Sequence, residues 1–355
     1  MTQRRFLWIL AAALLAICAA LYLSSERNAT HDVPGVALLP TLASELDTVT
    51  EISVRKGSAT PSVTLRRKGD AWTVAQRADY PADVSRIHRL LLALSDAKIV
   101  EEKTSNPANY SIIGVEDAAQ PNATSAEVTV SAKDGKHAVI VGKPIEEGNF
   151  VRRPGEAKSY SVAPAISVDA EPKAWIDSRL IDIPVASIQS VEEKPASGPG
   201  YVLKRVKPNE EGFALDPIPA GRKALDAKAL APSSSALAGL TVEDVAAAGD
   251  IDFSKPSRAV FTTSDGNVLT VTGTEAGDKR WIEVQASKDA ALGSKVQNRA
   301  FEVATYRYEA IFRPLDQLLV AKETKPETKP AAGKSPAKSR KATQAKPAAP
   351  PAASP

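Results

Sequence analysis

The polar part of this chain repeats one order of strands and turns, and that repeat constrains the fold more than any other feature. Alternation of apolar and polar side chains predicts an opening strand at residues 49–54 and again at residues 185–191, about 136 residues later. After each opening strand come a strand pair, a helical stretch, a hairpin and a further strand pair in the same order. Agreement over five elements indicates a tandem duplication.

Turn signals separate the predicted strands of both copies. Gly69 and Asp70 divide two strands of the first copy, and Asp134-Gly135 and Asp265-Gly266 mark the corresponding hairpins of the two copies. The other predicted strands of the first copy are residues 62–67, 68–74, 126–135, 138–142, 149–153 and 159–162. Those of the second copy are residues 200–205, 212–215, 259–266, 268–273, 280–284 and 300–303.

A helix is predicted in each copy, with unequal definition. In the first copy it starts after Asp83 and presents an apolar face at helical spacing, formed by Val84, Ile87, Leu91 and Leu94. In the second copy the helical pattern is spread over residues 226–248 and is interrupted by Pro232. Each copy therefore reads as an antiparallel sheet with helix packed on one side.

An apolar run from Phe6 to Leu23 follows Arg4 and Arg5 at the N-terminus. A helix of this length measures about 27 Å, close to the hydrocarbon thickness of a bilayer. The two arginines favour a cytoplasmic N-terminus, so we expect a single-pass anchor in a bacterial inner membrane with the bulk of the chain outside the cytoplasm. A cleaved signal peptide is the alternative, and it exports the same region.

The C-terminal segment, residues 321–355, differs in composition from the rest. Its seven Lys and one Arg against two Glu give a net charge of +6, whereas the chain between Arg5 and this segment carries −5. Without aromatic or large aliphatic residues, it is predicted to be a disordered basic tail. Such a polycation suits anionic lipid or an anionic wall polymer as a partner, and the compartment argues against nucleic acid.

These features predict an α+β protein with five parts. They are a transmembrane anchor at 1–24, a linker at 25–48, α+β repeats at 49–184 and 185–320, and the tail at 321–355.

Residues for common catalytic sites are scarce. The single cysteine, Cys18, lies in the apolar run, so the exported region can form neither a disulfide nor a cysteine-ligated zinc site. The three histidines lack metal-ligand spacing: His31 is a linker residue, His88 is expected at the edge of the packed helix face, and His137 is expected in solvent. We predict no catalytic residue, cofactor or metal, and no enzyme.

Arg152 and Arg153 are the candidate contact residues for a partner. Two adjacent arginines at a strand end place their guanidinium groups on opposite faces, where one can meet a carboxylate or phosphate. An ordinary solvated hairpin tip is the competing interpretation. The second copy has Glu283 near this place, so the copies would not share the function.

Several blocks of this sequence resemble a bacterial family known as domain of unknown function 4340. They are LLPTLASELDTVTEISVRKG, VTLRRKGDAWTVAQRADYPADVSRIHRLLLAL and KTSNPANYSIIGVED, with GNFVRRPGEAKSYSV and AWIDSRLIDIPVASI after them. The resemblance spans residues 38–188 and weakens through the second copy. It implies a single-pass envelope protein encoded beside an ABC-type transporter permease and a gliding-motility-type auxiliary subunit, without catalytic residues to transfer.

The sequence therefore predicts a non-catalytic, membrane-anchored accessory protein that binds partners in an ABC-type transport assembly of the cell envelope. A cell-wall or polysaccharide-binding module is the alternative, with the tail and sheets as the adhesive surface. A hydrolase with two carboxylates is the third possibility, and it would require convergent acids in a solvent-lined cleft.

Overall fold

The computed structural model describes residues 35–207 and 212–321. Within these ranges, no helix has both the length and the apolar character needed to cross a bilayer. The predicted anchor at residues 6–23 lies outside the described residues, and so do Arg4, Arg5 and all but the first residue of the predicted tail.

Nineteen strands account for most of the described secondary structure. In chain order they are β1 Glu51–Arg55, β2 Val63–Lys68, β3 Ala71–Val74, β4 Tyr80–Pro81, β5 Lys98–Glu102, β6 Ala126–Ala132, β7 Gly135–Pro144, β8 Asn149–Arg152, β9 Ser159–Ala163, β10 Arg179–Ile181, β11 Ile188–Lys194, β12 Tyr201–Arg205, β13 Phe213–Asp216, β14 Leu240–Thr241, β15 Asp244–Ala247, β16 Ser257–Thr263, β17 Val268–Ala276, β18 Lys279–Ala286 and β19 Arg299–Val303. The described helices are short apart from one. They are α1 Leu42–Glu45, α2 Val84–Asp96, α3 Tyr110–Ile113, α4 Ala227–Leu230, α5 Ala290–Val296 and α6 Thr305–Ile311, and short 3-10 turns connect several elements.

The strands form two large antiparallel sheets with matching topology. The first sheet has the order β4-β3-β2-β1-β6-β7-β8-β9-β5, and the second has the order β13-β12-β11-β16-β17-β18-β19-β15. Without β4, the eight strands of the first sheet follow the same spatial order as those of the second. The fold is thus mostly antiparallel sheet with a few helices, which confirms the α+β class.

The registers show which residues are equivalent in the two sheets. Val54 faces Val63 and Val128, and in the second sheet Glu193 faces Tyr201 and Ala259. The pairs on the neighbouring strands β6–β8 and β16–β18 continue this match, so positions on these strands can be compared between the sheets. The inward-facing residues of both sheets belong to one continuous apolar core.

Helix α2 begins where the sequence predicts. The Asp83 side chain caps it by accepting a hydrogen bond from the Arg86 amide at 3.1 Å. Ile87, Leu91 and Leu94 are buried against the core, as expected. Val84 is 37% exposed instead, because the first turn of the helix borders an open cleft.

Two local predictions are wrong. In the predicted second copy, α4 spans only four residues and continues as a 3-10 turn at Ala231–Ser235, after which the chain forms β14 and β15. Pro232 lacks an amide hydrogen, and the Ser234 hydroxyl donates to the Ala231 carbonyl at 2.7 Å, so a regular helix does not extend here. In the predicted first copy, Ala132 pairs with Gly135, so the hairpin turn is Lys133-Asp134 and lies one residue earlier than predicted.

The two sheets are joined by specific contacts. Strands β10 and β14 pair with each other, and Arg77 forms a two-point ion pair with Asp244, including 3.1 Å between Nη2 and Oδ2. Arg299 donates to the backbone carbonyls of Ala78 and Asp79 at 3.0 and 3.2 Å. Both sheets therefore belong to one compact unit.

Candidate binding surfaces

Arg152 ends strand β8 and is almost fully buried, at 7% exposure. Its Nε donates to the Val115 carbonyl at 2.8 Å, and its Nη1 donates to the Glu156 carbonyl at 3.1 Å. The guanidinium carbon lies 4.6 Å from the centre of the Tyr110 ring. Arg152 therefore holds the segment around Val115 against the sheet.

Arg153 points to the other side, as two successive strand-end residues should. Its Nε and Nη2 both donate to the Leu38 carbonyl, at 3.1 and 2.8 Å, and its Nη1 lies 3.3 Å from the Glu156 carboxylate. Internal contacts thus engage both guanidinium groups. Recognition of a partner by either arginine stays a prediction. Arg152 lines two clefts, and the Arg153 side chain is 27% exposed.

Two clefts meet beside Arg152, with volumes of about 430 and about 250 Å³. Asp117 lines both, and Glu116 lines the larger one. Glu116 Oε1 accepts hydrogen bonds from the Thr124 amide and hydroxyl at 2.6 and 2.8 Å. Burial raises the pKa of Glu116, but hydrogen bonds from its own backbone, Thr124 and Ser125 outweigh it and hold that pKa below the usual range.

Glu116 and Asp117 both line the larger cleft, so the pKa of Glu116 bears on whether it could act as the acid of a hydrolase. A general acid requires a carboxyl group with a raised pKa, whereas Glu116 is held ionised. A metal site is also not evident here: among residues 35–207 and 212–321, no three His, Cys, Asp or Glu side chains are grouped to hold an ion.

A third cleft, of about 440 Å³, lies between α2 and the β2–β3 hairpin. We call it the Leu92 cleft. Its apolar lining consists of Leu46, Trp72, Val84, Leu91 and Leu92, and its polar lining of Asp47, Arg67, Asp70 and His88. Leu92 is 52% exposed, so a large aliphatic side chain is presented to solvent beside this cleft. Arg67 is fixed there by donating to the Asp47 carbonyl at 2.9 Å.

The described histidines have different surroundings. His88 is exposed and lines the Leu92 cleft, whereas His31 lies outside the described residues. The expectation of a solvent-exposed His137 is wrong, because its side chain is only 13% exposed and its Nε2 lies 3.1 Å from Glu45 Oε2. Helix α1 brings Glu45 over the β6–β7 hairpin, which the sequence pattern does not reveal.

Glu193 is a buried acid that the sequence pattern did not single out. It is 1% exposed, and neither carboxylate oxygen has a hydrogen-bond partner among the described residues. Burial raises its pKa to about 9, so the carboxyl group is protonated near neutral pH. A signal was present: Glu193 lies two residues after Val191 and so continues the inward face of β11.

Comparison with known proteins yields a family but no further relatives. No curated protein and no solved structure matches the chain. The family described as Domain of unknown function (DUF4340) matches residues 72–259, more than half of the chain. The match runs from β3 to β16, so it begins later than the resemblance seen in the sequence and extends well into the second sheet. The chain belongs to the DUF4340 family of domains of unknown function.

Proposed function

We propose that this chain is a non-catalytic accessory protein, anchored in the inner membrane, that binds a protein partner outside the cytoplasm within an ABC-type transport assembly. The observation that carries the proposal is the Leu92 cleft, which combines exposed apolar side chains with a charged border.

Protein interfaces commonly place apolar anchors at the centre and polar groups at the rim. Leu92 and Val84 supply exposed apolar surface on one helix, and the largely buried Trp72 lines the cleft from the neighbouring hairpin. Burying the exposed half of a leucine side chain contributes about 1 kcal/mol. Asp47, Arg67 and Asp70 give the border both signs of charge, which favours a particular partner orientation.

Membrane attachment and the transport context rest on other support. The apolar run at residues 6–23 and the flanking Arg4 and Arg5 fit a single-pass anchor with an exported C-terminal region. The association with transporter genes is what the resemblance to the DUF4340 family implies, and the family match over residues 72–259 supports that resemblance.

We also infer that the two sheets are copies of one duplicated unit. The shared spatial order of eight strands supports this inference, because chance is a poor explanation for equal order over so many pairings. The copies then differ in their surfaces, and the Leu92 cleft belongs to the first.

The proposal is tested by crosslinking in native membranes followed by recovery of the full chain and identification of its partners. We expect the wild-type chain to recover a transporter subunit and Leu92→Asp to recover about tenfold less, because about 1.4 kcal/mol of binding is lost. Ile112→Asp is the matched control, since Ile112 is 64% exposed and lies on α3, away from the cleft. Equal recovery by the two variants would argue against the cleft, and recovery of no transporter subunit by the wild type would contradict the proposal.

A further inference from the structure

The two sheets differ on the faces turned away from the core. In the first sheet, Glu127, Ile140 and Arg152 face one another across β6, β7 and β8. The equivalent row in the second sheet is Arg258, Thr272 and Glu283, across β16, β17 and β18. We call these rows, with the residues beside them, the first and the second outer face.

The first outer face is covered by the chain itself. The connection from β5 to β6, residues 103–125, lies over it and contributes Tyr110, Ile113 and Val115 to a small apolar cluster with Ile140. As a result Glu127, Ile140 and Arg152 are all buried, at 6%, 1% and 7% exposure.

The second outer face is covered only in part within the described residues. Trp281 and Thr274, which pair beside Glu283 and Thr272 on this face, are buried at 6% and 9% exposure, but the row itself is not buried. The connection from β15 to β16 comprises only residues 248–256, less than half the length of its counterpart. Arg258 is exposed, and Thr272 and Glu283 are half-buried. The β-branched residues Val260, Thr262, Val268 and Thr270 are half-buried around them, which leaves a moderately apolar surface.

The charges in the two rows are reversed. Glu283 occupies the position in the second row that Arg152 occupies in the first, and Arg258 occupies the position of Glu127. In the first sheet the covering segment provides the Val115 carbonyl, which accepts a hydrogen bond from Arg152, and the Tyr110 ring, against which the guanidinium group packs. Glu283 makes no hydrogen bond or ion pair with the described residues, and burial raises its pKa. A segment lying on this face would therefore have to supply a cation where the first cover supplies an acceptor.

We propose that the second outer face binds a segment of a partner protein that carries apolar side chains and one arginine or lysine to pair with Glu283. This inference rests on the proposed function, in that it assigns a second contact surface to the same accessory protein. The apolar residues of the partner pack on Val260 and Thr270, in the role that Ile113 and Val115 have on the first sheet. The cation restores the charge pairing that Glu283 lacks.

Thiol protection tests the proposal even while the partner is unidentified. The exported region has no cysteine, so Thr272→Cys in a Cys18→Ala background introduces a single thiol on the second outer face. A membrane-impermeant maleimide should label it about tenfold more slowly in native membranes than in the purified full-length chain, because a docked interface excludes water and reagent. Lys136→Cys, at an exposed position of the β7 strand, should label equally in both preparations.

Charge reversal identifies the chemistry of the occupant. Adding Glu283→Arg to Thr272→Cys should restore the labelling rate in native membranes to that of the purified chain, and Glu283→Gln should restore it in part. Glu147→Arg, an equal charge change at an exposed loop position, should leave the protection intact. Equal thermal unfolding of the variants establishes that they fold.

Two results would overturn the inference. One is equal labelling of Thr272→Cys in native membranes and in the purified chain. The other is protection in vesicles that contain only this chain and anionic lipid, since a second copy or the bilayer would then be the cover. The Thr272→Cys thiol could be unprotected in native membranes while the wild-type chain still recovers a transporter subunit and Leu92→Asp does not. This inference would then fail, and the proposed function would stand.

Discussion

Glu193 occupies the position in the second sheet that Val54 occupies in the first. Val54 is fully buried and faces Val63 and Val128, so its surroundings are apolar. Glu193 places a carboxyl group in the equivalent site, beside Tyr201 and Ala259, without a hydrogen-bond partner among the described residues. An ionised carboxylate would be strongly unfavourable in this apolar site, so the carboxyl group of Glu193 is neutral in the folded protein.

The stability of the protein should therefore fall as pH rises. The folded-state pKa of Glu193 is about 9, whereas an unfolded chain loses this proton near pH 4.5. Between these values the folded state holds one proton more, so the free energy of unfolding decreases by about 1.4 kcal/mol per pH unit. Glu193→Gln removes the titrating group and should flatten this dependence while stabilising the protein above neutral pH.

Urea unfolding of the full-length chain across this pH range measures the effect. Glu192→Gln is the matched control, because Glu192 is the adjacent acid, faces outward and pairs with Lys194 at 2.9 Å. It should retain the slope of the wild type. A Glu193→Gln variant with the wild-type slope would show that this carboxyl group does not remain protonated in the folded protein.

For the two arginines, the sequence predicted on which face of the strand each side chain lies, but it did not predict which residues each side chain contacts. Arg152 and Arg153 do point to opposite faces, because alternation along a strand is a local property. Their partners, Val115 and Leu38, come from distant segments that no local pattern identifies. The burial of His137 beside Glu45 was missed for the same reason, because Glu45 comes from a segment distant in sequence.

Among the elements, α2 shows how a local signal fixes a boundary. Asp83 accepts a hydrogen bond from the Arg86 amide and so satisfies a donor that the first turn leaves unpaired. Asp83→Ala should lower the free energy of unfolding by about 1 kcal/mol. Asp96→Ala is the control, since Asp96 is exposed at the opposite end of the same helix and should cost nothing measurable. Chemical denaturation compares the two variants, and equal stabilities would contradict the capping role.

Strands β5 and β15 were not predicted, and each pairs with a strand that is distant in sequence. Strands β5 and β15 are short and lie at sheet edges, where they pair with β9 and β19. Neither has a hairpin turn to its neighbour, so neither carries the signal that identified the β2–β3, β6–β7 and β16–β17 pairs. The repeated hairpins were predictable because their pairing partners adjoin in sequence.

For the whole molecule, the contacts between the sheets should make unfolding cooperative. Arg77 and Asp244 are both partly buried, with side chains 21% and 14% exposed, and they form a two-point ion pair across the junction. Arg77→Ala would leave Asp244 without this partner and should lower the free energy of unfolding by about 2 kcal/mol. Arg66→Ala is the control, since its pair with Glu51 is exposed and should be worth at most about 0.5 kcal/mol.

Urea unfolding followed by tryptophan fluorescence and by circular dichroism distinguishes the outcomes. Coincident transitions in the wild type would show that both sheets unfold together. If the Arg77→Ala variant matches Arg66→Ala in stability, the junction does not depend on this ion pair.

The orientation of the chain in the membrane can be tested with a reporter fusion. If Arg4 and Arg5 hold the N-terminus in the cytoplasm, a reporter enzyme fused after Val320 lies outside the cytoplasm. A reporter that is active only outside the cytoplasm should then show activity, and one that is active only inside it should not. Replacing both arginines by glutamate removes the positive flank and should reduce that activity, whereas Lys136→Glu, at an exposed position far from the apolar run, should not. A fusion active only in the cytosol would contradict the anchor, and the transport partner proposed for the Leu92 cleft would then be out of reach.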